Sequence, residues 1–303
     1  MHLTLRQLHI FQAIAACGST AGAARSLPLS QSATSAALNE LEHVLGVPLF
    51  DRVAKRLVVN DNGRTLLPAA RALLDAARGI ESLFGRGDSS AELRVHASTT
   101  IGNYLLPRVF AGYRERNPGA RFALEIGNTS DVVTAVRAFG TDVGFIEGTC
   151  HHSDIRVIPW LEDDLVIFAA PTHELAEAAM RGALAAKQLM AATWLLREPG
   201  SGTREAVELA LLPHLPNLPA ALTLGSSEAI KNAVAAGLGI SCLSRAVVQD
   251  LVNAGRLVIL RTRLPLLKRH FSVIHHRDKV LSASLRAFVE YTEHCTSATV
   301  PLR

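Results

Sequence analysis

The chain has 303 residues, 49% hydrophobic and 19% charged, with a net charge of +4. That composition is globular and long enough for two or three cores, and it excludes disordered and fibrous chains. Four scattered cysteines (Cys17, Cys150, Cys242, Cys295) show no paired spacing, which excludes a disulfide framework and points to a reducing, cytoplasmic setting. The basic surplus is uneven: residues 1–87 hold nine Lys and Arg against six Asp and Glu, leaving 22 against 21 for the rest. A polyanionic partner is therefore expected at the first third. The opening run ends in small residues around Cys17, as a leader would, but Gln7, His9 and Gln12 interrupt its apolar stretch. No uninterrupted run approaches membrane-spanning length, so no membrane partner is expected.

Leu5, Leu8, Phe11, Ile14 and Ala15 recur at helical spacing, and Gly18 stops that helix. Ser19 is the N-cap expected for a short helix, "TAGAARSL"; "PLS" forms a turn, and Ser30 caps a third helix, "QSATSAALNELEHVL". Leu38, Leu41 and Leu45 are expected to face inward, while Ser30, Gln31, Ser32, Thr34 and Ser35 crowd the exposed N-terminal end. Helix, tight turn, and a helix that starts in short polar side chains suits the major groove of DNA, where such side chains reach base edges. Arg52, Lys55 and Arg56 precede the β-rich run Leu57–Val59, as in a wing whose cations touch phosphates. Residues 1–60 thus read as a winged helix-turn-helix with double-stranded operator DNA as partner.

Over 61–88 the pattern changes. Leu66, Ala70, Leu73, Ala77, Ile80 and Phe84 step by four and three, a heptad seam that predicts a linker helix pairing with a second copy. Pro68 lacks the N–H for one helical bond, so a disturbance is expected near the first turns. "GRGDSS" reads as a hinge.

The segment "LRQLHIFQAIAACGSTAGAARSLPLSQSATSAALNELEHVLGVPLFDRVAKRLVVNDNGR" resembles the DNA-binding half of LysR-type transcriptional regulators, and the family's architecture would cover the whole chain. Ser32-Ala33 departs from the proline-containing start of the recognition helix in many members, which bears on the operator sequence. The resemblance implies a homodimer through the linker, a homotetramer overall, and RNA polymerase as a further partner.

Apolar runs at Leu93–Ala97, Phe122–Ile126, Val143–Ile146, Leu165–Ala169, Trp194–Leu196, Leu222–Leu224 and Ile240–Leu243 read as strands separated by helices, an α/β class with largely parallel sheets. Ligands in such sheets bind where strands end and helices begin. Those junctions share one chemistry: Ser98, Thr99 and Thr100; Asn128 and Thr129; Glu147; Arg197, Ser201, Gly202 and Thr203 in "REPGSGTR"; and Ser227. Hydroxyls, glycines and free N–H groups at helix starts suit a small anion, although any one of these loops is equally a plain helix cap. Glu147 stands out, because it carries the sign of the expected ligand. Either it pairs with a cation away from the site, or it filters anions by their ability to carry a proton.

The family resemblance makes residues 89–303 a periplasmic-binding-protein-like effector domain, with subdomain I at 89–163 and 269–303 and subdomain II at 164–268. The chain would cross between them near Glu162–Asp164 and Pro265–Arg269. "ASTTIGNYLLP", "DVGFIEGTCH", "LREPGSGTRE" and "EAIKNAVAAGLGISCLSR" resemble the YeiE-type branch of that family, which implies sulfite as effector and no cofactor. Alternative readings are a thiol sensor using Cys150 or Cys242, a metal sensor using "CHH" at Cys150–His152 with His275-His276, and an enzyme holding a phosphate. The histidines lack regular ligand spacing, and the Gly-Ser loop lacks both a nucleophile elbow and the Lys-Ser/Thr ending of a P-loop, so no catalytic or metal-ligating residues are assigned.

Overall fold

The computed structural model describes residues 3–54, 56–83, 92–216, 218 and 220–295; Lys55 of the expected wing and Phe84 of the expected seam lie outside them. The chain forms two compact units, one from the described residues of Met1–Asp88 with Arg137–Gly140 and Asp278–Ala283, the other from the remainder.

The first unit runs α1 (Leu5–Cys17), α2 (Thr20–Ser26), α3 (Gln31–Leu45), β1 (Phe50–Val53), β2 (Arg56–Val59) and α4 (Asp61–Leu83). Local chemistry sets these boundaries. The Gln7 N–H donates to Thr4 Oγ1 at 3.2 Å while Gln7 Oε1 accepts the Thr4 N–H at 2.8 Å, a reciprocal cap on α1. Ser19 and Ser30 accept the N–H groups of Gly22 and Ala33 at 3.0 and 3.1 Å. Gly18 and Gly46, at φ of 66° and 71°, end α1 and α3 in the left-handed conformation. Leu8, Ile10, Phe11, Ile14, Leu38, Leu41 and Leu49 form the core. Leu5 and Leu45, expected inside, are exposed, because each occupies the terminal position of its helix, beyond the turns that the core covers. Cys17, which closes α1, is also exposed. Helix α4 continues through Pro68, which lies about two turns beyond Asn60, whose side chain accepts the Gly63 N–H at 3.0 Å.

The second unit contains β3 (Glu92–Ser98), α5 (Leu106–Arg116), β4 (Arg121–Gly127), α6 (Thr129–Arg137), β5 (Val143–Glu147), β6 (Ile155–Ala169), α7 (Glu174–Arg181), α8 (Ala186–Met190) and β7 (Trp194–Arg197). It continues with α9 (Gly202–Leu211), β8 (Ala220–Leu224), α10 (Ser227–Ala235), β9 (Ser241–Ser244), α11 (Arg245–Asn253), β10 (Val258–Ile259), β11 (Leu267–His276) and α12 (Ala283–His294). The main sheet runs β10-β6-β11-β5-β3-β4 with β9 also on β6, and β7 pairs with β8 separately. The sheet is mixed rather than largely parallel: β3 runs parallel to β4 and β5, but β11 is antiparallel to both β5 and β6. The difference lies in β6 and β11, whose charged halves hide a strand period. They lie side by side, Arg269 opposite Asp163 and His270 opposite Glu162, at the two expected chain crossings. Among the described residues no helix is long and apolar enough to cross a membrane.

Candidate functional site

In the first unit, Gln31 and Ser35 of α3 line one groove with Ser19, Thr20 and Asn39 and with Arg52 and Arg56 of the hairpin. Ser30, Gln31 and Ser32 are exposed, the Ser30 and Ser32 hydroxyls 3.0 Å apart. Thr34 corrects the sequence expectation: it is fully buried, and its Oγ1 donates to the Ser30 carbonyl at 3.0 Å. It precedes Leu38 by four residues and Leu41 by seven, so it shares their inward face. Asn39 was missed, although it lies four residues after Ser35 on the groove side.

The expected seam on α4 is divided. Leu66 and Ala70 pack into the unit's own core, because the first turns of α4 close it. Leu73 and Ile80 are exposed and Ala77 half-buried, so only these residues of the described seam are available to a partner.

In the second unit the strand-end loops converge on two buried guanidinium groups. Arg197, the last residue of β7, donates to the Ser227 hydroxyl at 2.8 Å and to Thr99 Oγ1 at 3.3 Å. Its Nε and Nη2 make a two-pronged pair with neighbouring Glu198 at 2.7 and 2.8 Å. Burial opposes ionisation of Glu198, but the Arg197 bonds outweigh it and hold the carboxyl below its usual range. Thr99 Oγ1 also donates to the Gly127 carbonyl at 3.2 Å.

The second guanidinium belongs to Arg269, which the sequence reading placed only at a chain crossing. Its Nη1 stands 2.6 Å from Glu147 Oε2 and 2.9 Å from Thr203 Oγ1, and its Nε stands 2.7 Å from Asp163 Oδ2. Nη2 reaches Thr100 Oγ1 at 3.3 Å, and the guanidinium carbon lies 5.0 Å from the centre of the Phe271 ring. Glu147 is further held by the Thr100 N–H at 2.9 Å and by a short bond from the Thr203 hydroxyl. Burial alone would raise the Glu147 pKa; Arg269, Thr203 and Thr100 outweigh it and hold the value at about 2.

Two expectations change here. Glu147 does pair with a cation, yet it does so among the predicted hydroxyls and not away from them, because β5 delivers its end directly to α9. Thr203 is accordingly committed to Glu147 rather than left as an open donor. Close packing fixes the junction: a Cβ on Gly202 would stand 2.0 Å from the Glu147 carbonyl, which Thr129 Oγ1 also binds at 3.1 Å.

Of the other expected groups, Ser201 caps α9 by accepting the Arg204 N–H at 3.4 Å. Asn128 and Asp131 exchange bonds at 3.0 Å at the start of α6. The buried Ser98 Oγ has no hydrogen-bond partner among the described residues. Cys242 is buried, which pushes its thiol up to about 12 and keeps it out of thiolate chemistry near neutral pH. Among the described residues no group of three or more His, Cys, Asp and Glu is placed to hold a metal ion.

Residues 86–296 match the LysR substrate binding domain, and residues 5–64 match the bacterial regulatory helix-turn-helix protein, lysR family. The chain is 55% identical over 301 residues to the HTH-type transcriptional regulator YeiE of Escherichia coli strain K12, covering 99% of this chain and 100% of that protein. The Synechocystis CcmR regulatory domain in complex with 2-PG superposes with a TM-score of 0.59 at 29% identity, over 69% of this chain and 97% of that one. A full-length OxyR variant from Pseudomonas aeruginosa gives a TM-score of 0.79 at 23% identity, over 97% and 96% of the two chains.

Proposed function

Because the chain belongs to the LysR family of DNA-binding transcriptional regulators, with an effector-binding domain behind its helix-turn-helix, we propose that its effector is a small oxyanion, sulfite first, held in the cluster around Arg197 and Arg269. It is a regulator and not an enzyme, so binding, and not turnover, is the chemistry to explain.

One observation carries the reading. The Glu147 carboxylate is already bound as a ligand would be, by a backbone N–H, a hydroxyl and a guanidinium drawn from three separate segments of the chain. Charge-assisted bonds of this kind contribute on the order of 1.5–3 kcal/mol each, and all three types suit an oxyanion as well as a carboxylate. An incoming oxyanion would bind against the same guanidinium beside Glu147, and the change at the β5–α9 junction would be what the rest of the chain senses. Repulsion from Glu147 then favours an anion that can carry a proton. Sulfite can do so near neutral pH, whereas sulfate is fully ionised there.

The same reading makes the chain a cytoplasmic homotetramer, paired through Leu73, Ala77 and Ile80, that acts at operator DNA with RNA polymerase as a further partner. The exposed apolar residues of α4 support the pairing.

Calorimetric titration of the full chain with sulfite tests the effector. Saturable binding is expected, weakened about tenfold or more in Arg197→Gln, which removes a charged donor. No heat at any sulfite concentration, with the chain folded, would remove the proposal.

A further inference from the structure

Arg269, Glu147 and Asp163 lie together inside the second unit, each at most 4% exposed. One cation against two carboxylates leaves an excess negative charge, and an oxyanion adds at least one more. A further buried negative charge a few ångströms from these two is costly, and a proton taken up by one carboxylate relieves it.

The hydrogen bonds distinguish the two carboxylates. Each Glu147 oxygen faces a donor that cannot reverse, the Thr100 N–H at Oε1 and Arg269 Nη1 at Oε2. Asp163 gives Oδ2 to Arg269 Nε, but its Oδ1 faces the Ser244 hydroxyl at 2.6 Å. A hydroxyl can turn from donor to acceptor. Ser244 Oγ also accepts the Ala246 N–H at 3.2 Å, so it is held in place while its hydrogen swings.

We infer that Asp163 is the proton acceptor of the effector site: an oxyanion binding against Arg269 draws one proton from solvent onto Asp163 Oδ1. This rests on the oxyanion reading above. The proton comes from water or buffer, Ser244 turns to accept it, and Oδ2 keeps its bond from Arg269. The cluster gains one positive charge for the anion it admits. Burial dominates at Asp163 and raises its carboxyl against the opposing pull of Arg269 and Ser244, which agrees with proton entry there. The groups facing Asp163 are Arg269 of β11, Glu147 of β5, and Ser244 and Cys242 of β9; the Cys242 thiol is already neutral. Asp163 thereby acts on the ligand through Arg269, as a positioning residue.

The test is calorimetry of the full chain with sulfite in two buffers of contrasting ionisation heat, at alkaline pH, where free sulfite carries no proton. Wild type is expected to take up one proton more per site than Asp163→Asn, which keeps the shape and removes the charge. Wild-type affinity should fall about tenfold per pH unit over the range where Asp163 must be protonated on binding, while Asp163→Asn is flatter by one proton. An equal proton count in the two proteins overturns the inference and leaves the effector reading intact. No sulfite binding by wild type overturns both. Should Asp163→Asn not fold, Ser244→Ala decides: without the turning hydroxyl, its loss of affinity should begin at lower pH, and a curve that coincides with wild type's overturns the inference.

Discussion

The Arg269 guanidinium stands 2.6 Å from the Glu147 carboxylate, and both side chains are 2% exposed. Breaking such a pair from one side leaves an uncompensated buried charge, which costs about 3–5 kcal/mol. Arg269→Gln leaves two carboxylates unpaired and should lose at least that much stability in urea denaturation. Glu147→Gln keeps Arg269 paired with Asp163 and should lose less. If the two variants lose the same amount, the network is not organised around Arg269.

The pH dependence follows from Glu147. Its folded pKa of about 2 lies below the ordinary value of 4.5, so its contribution is complete above pH 4.5 and lost as pH falls towards 2. By linkage that contribution is roughly 3 kcal/mol. Asp163 has the opposite sign, because its raised carboxyl is relieved by acid. Thermal melts between pH 6 and 3 should show wild type losing stability that Glu147→Gln does not lose. Parallel curves would mean that Glu147 is not held in its charged form.

At the DNA groove, phosphate and base contacts separate by their salt and sequence signatures. Arg52→Ala or Arg56→Ala should weaken binding on every sequence and reduce the slope of log affinity against log salt by about 0.9. Gln31→Ala or Ser35→Ala should shift the preferred sequence instead. Thr34→Val should shift neither, because its hydroxyl is turned inward to the Ser30 carbonyl. Anisotropy titrations over a salt series check all three; a changed preference in Thr34→Val would contradict the burial.

The seam gives a similar contrast. Leu73→Lys and Ile80→Lys place charges on exposed positions, so each variant should fold and lose its linker-mediated dimer in sedimentation. Ala70→Lys places a charge in the first unit's core and should unfold that unit instead. Undiminished dimerisation of Leu73→Lys would show that these residues do not face the partner.

What the sequence revealed depended on how local the cause was. Ser19, Ser30, Gly18 and Gly46 bound their helices through contacts within four residues, so the helix-turn-helix was legible. Thr34 was misread because it and Ser35 differ by one helical position, and only the packing of α3 decides which faces the core. The strand-end hydroxyls were legible from composition at Thr99–Thr100, Ser201–Thr203 and Ser227. Arg269 and Asp163 were not: they lie 106 residues apart, in the strings "LKRH" and "LEDD", which look like solvated surface. Only the antiparallel pairing of β6 with β11 brings them together. Glu147 looked out of place because its partner was invisible.

In the proposed mode a small oxyanion binds against the guanidinium that holds Glu147, and Glu147 sets which anion is admitted. Titration of sulfite and sulfate into wild type and Glu147→Gln at several pH values tests it most directly. Wild type is expected to prefer sulfite, and the preference should narrow in Glu147→Gln, mainly because sulfate binds more tightly once the repulsion is gone. An unchanged preference ratio, or the absence of any anion binding by wild type, would contradict it.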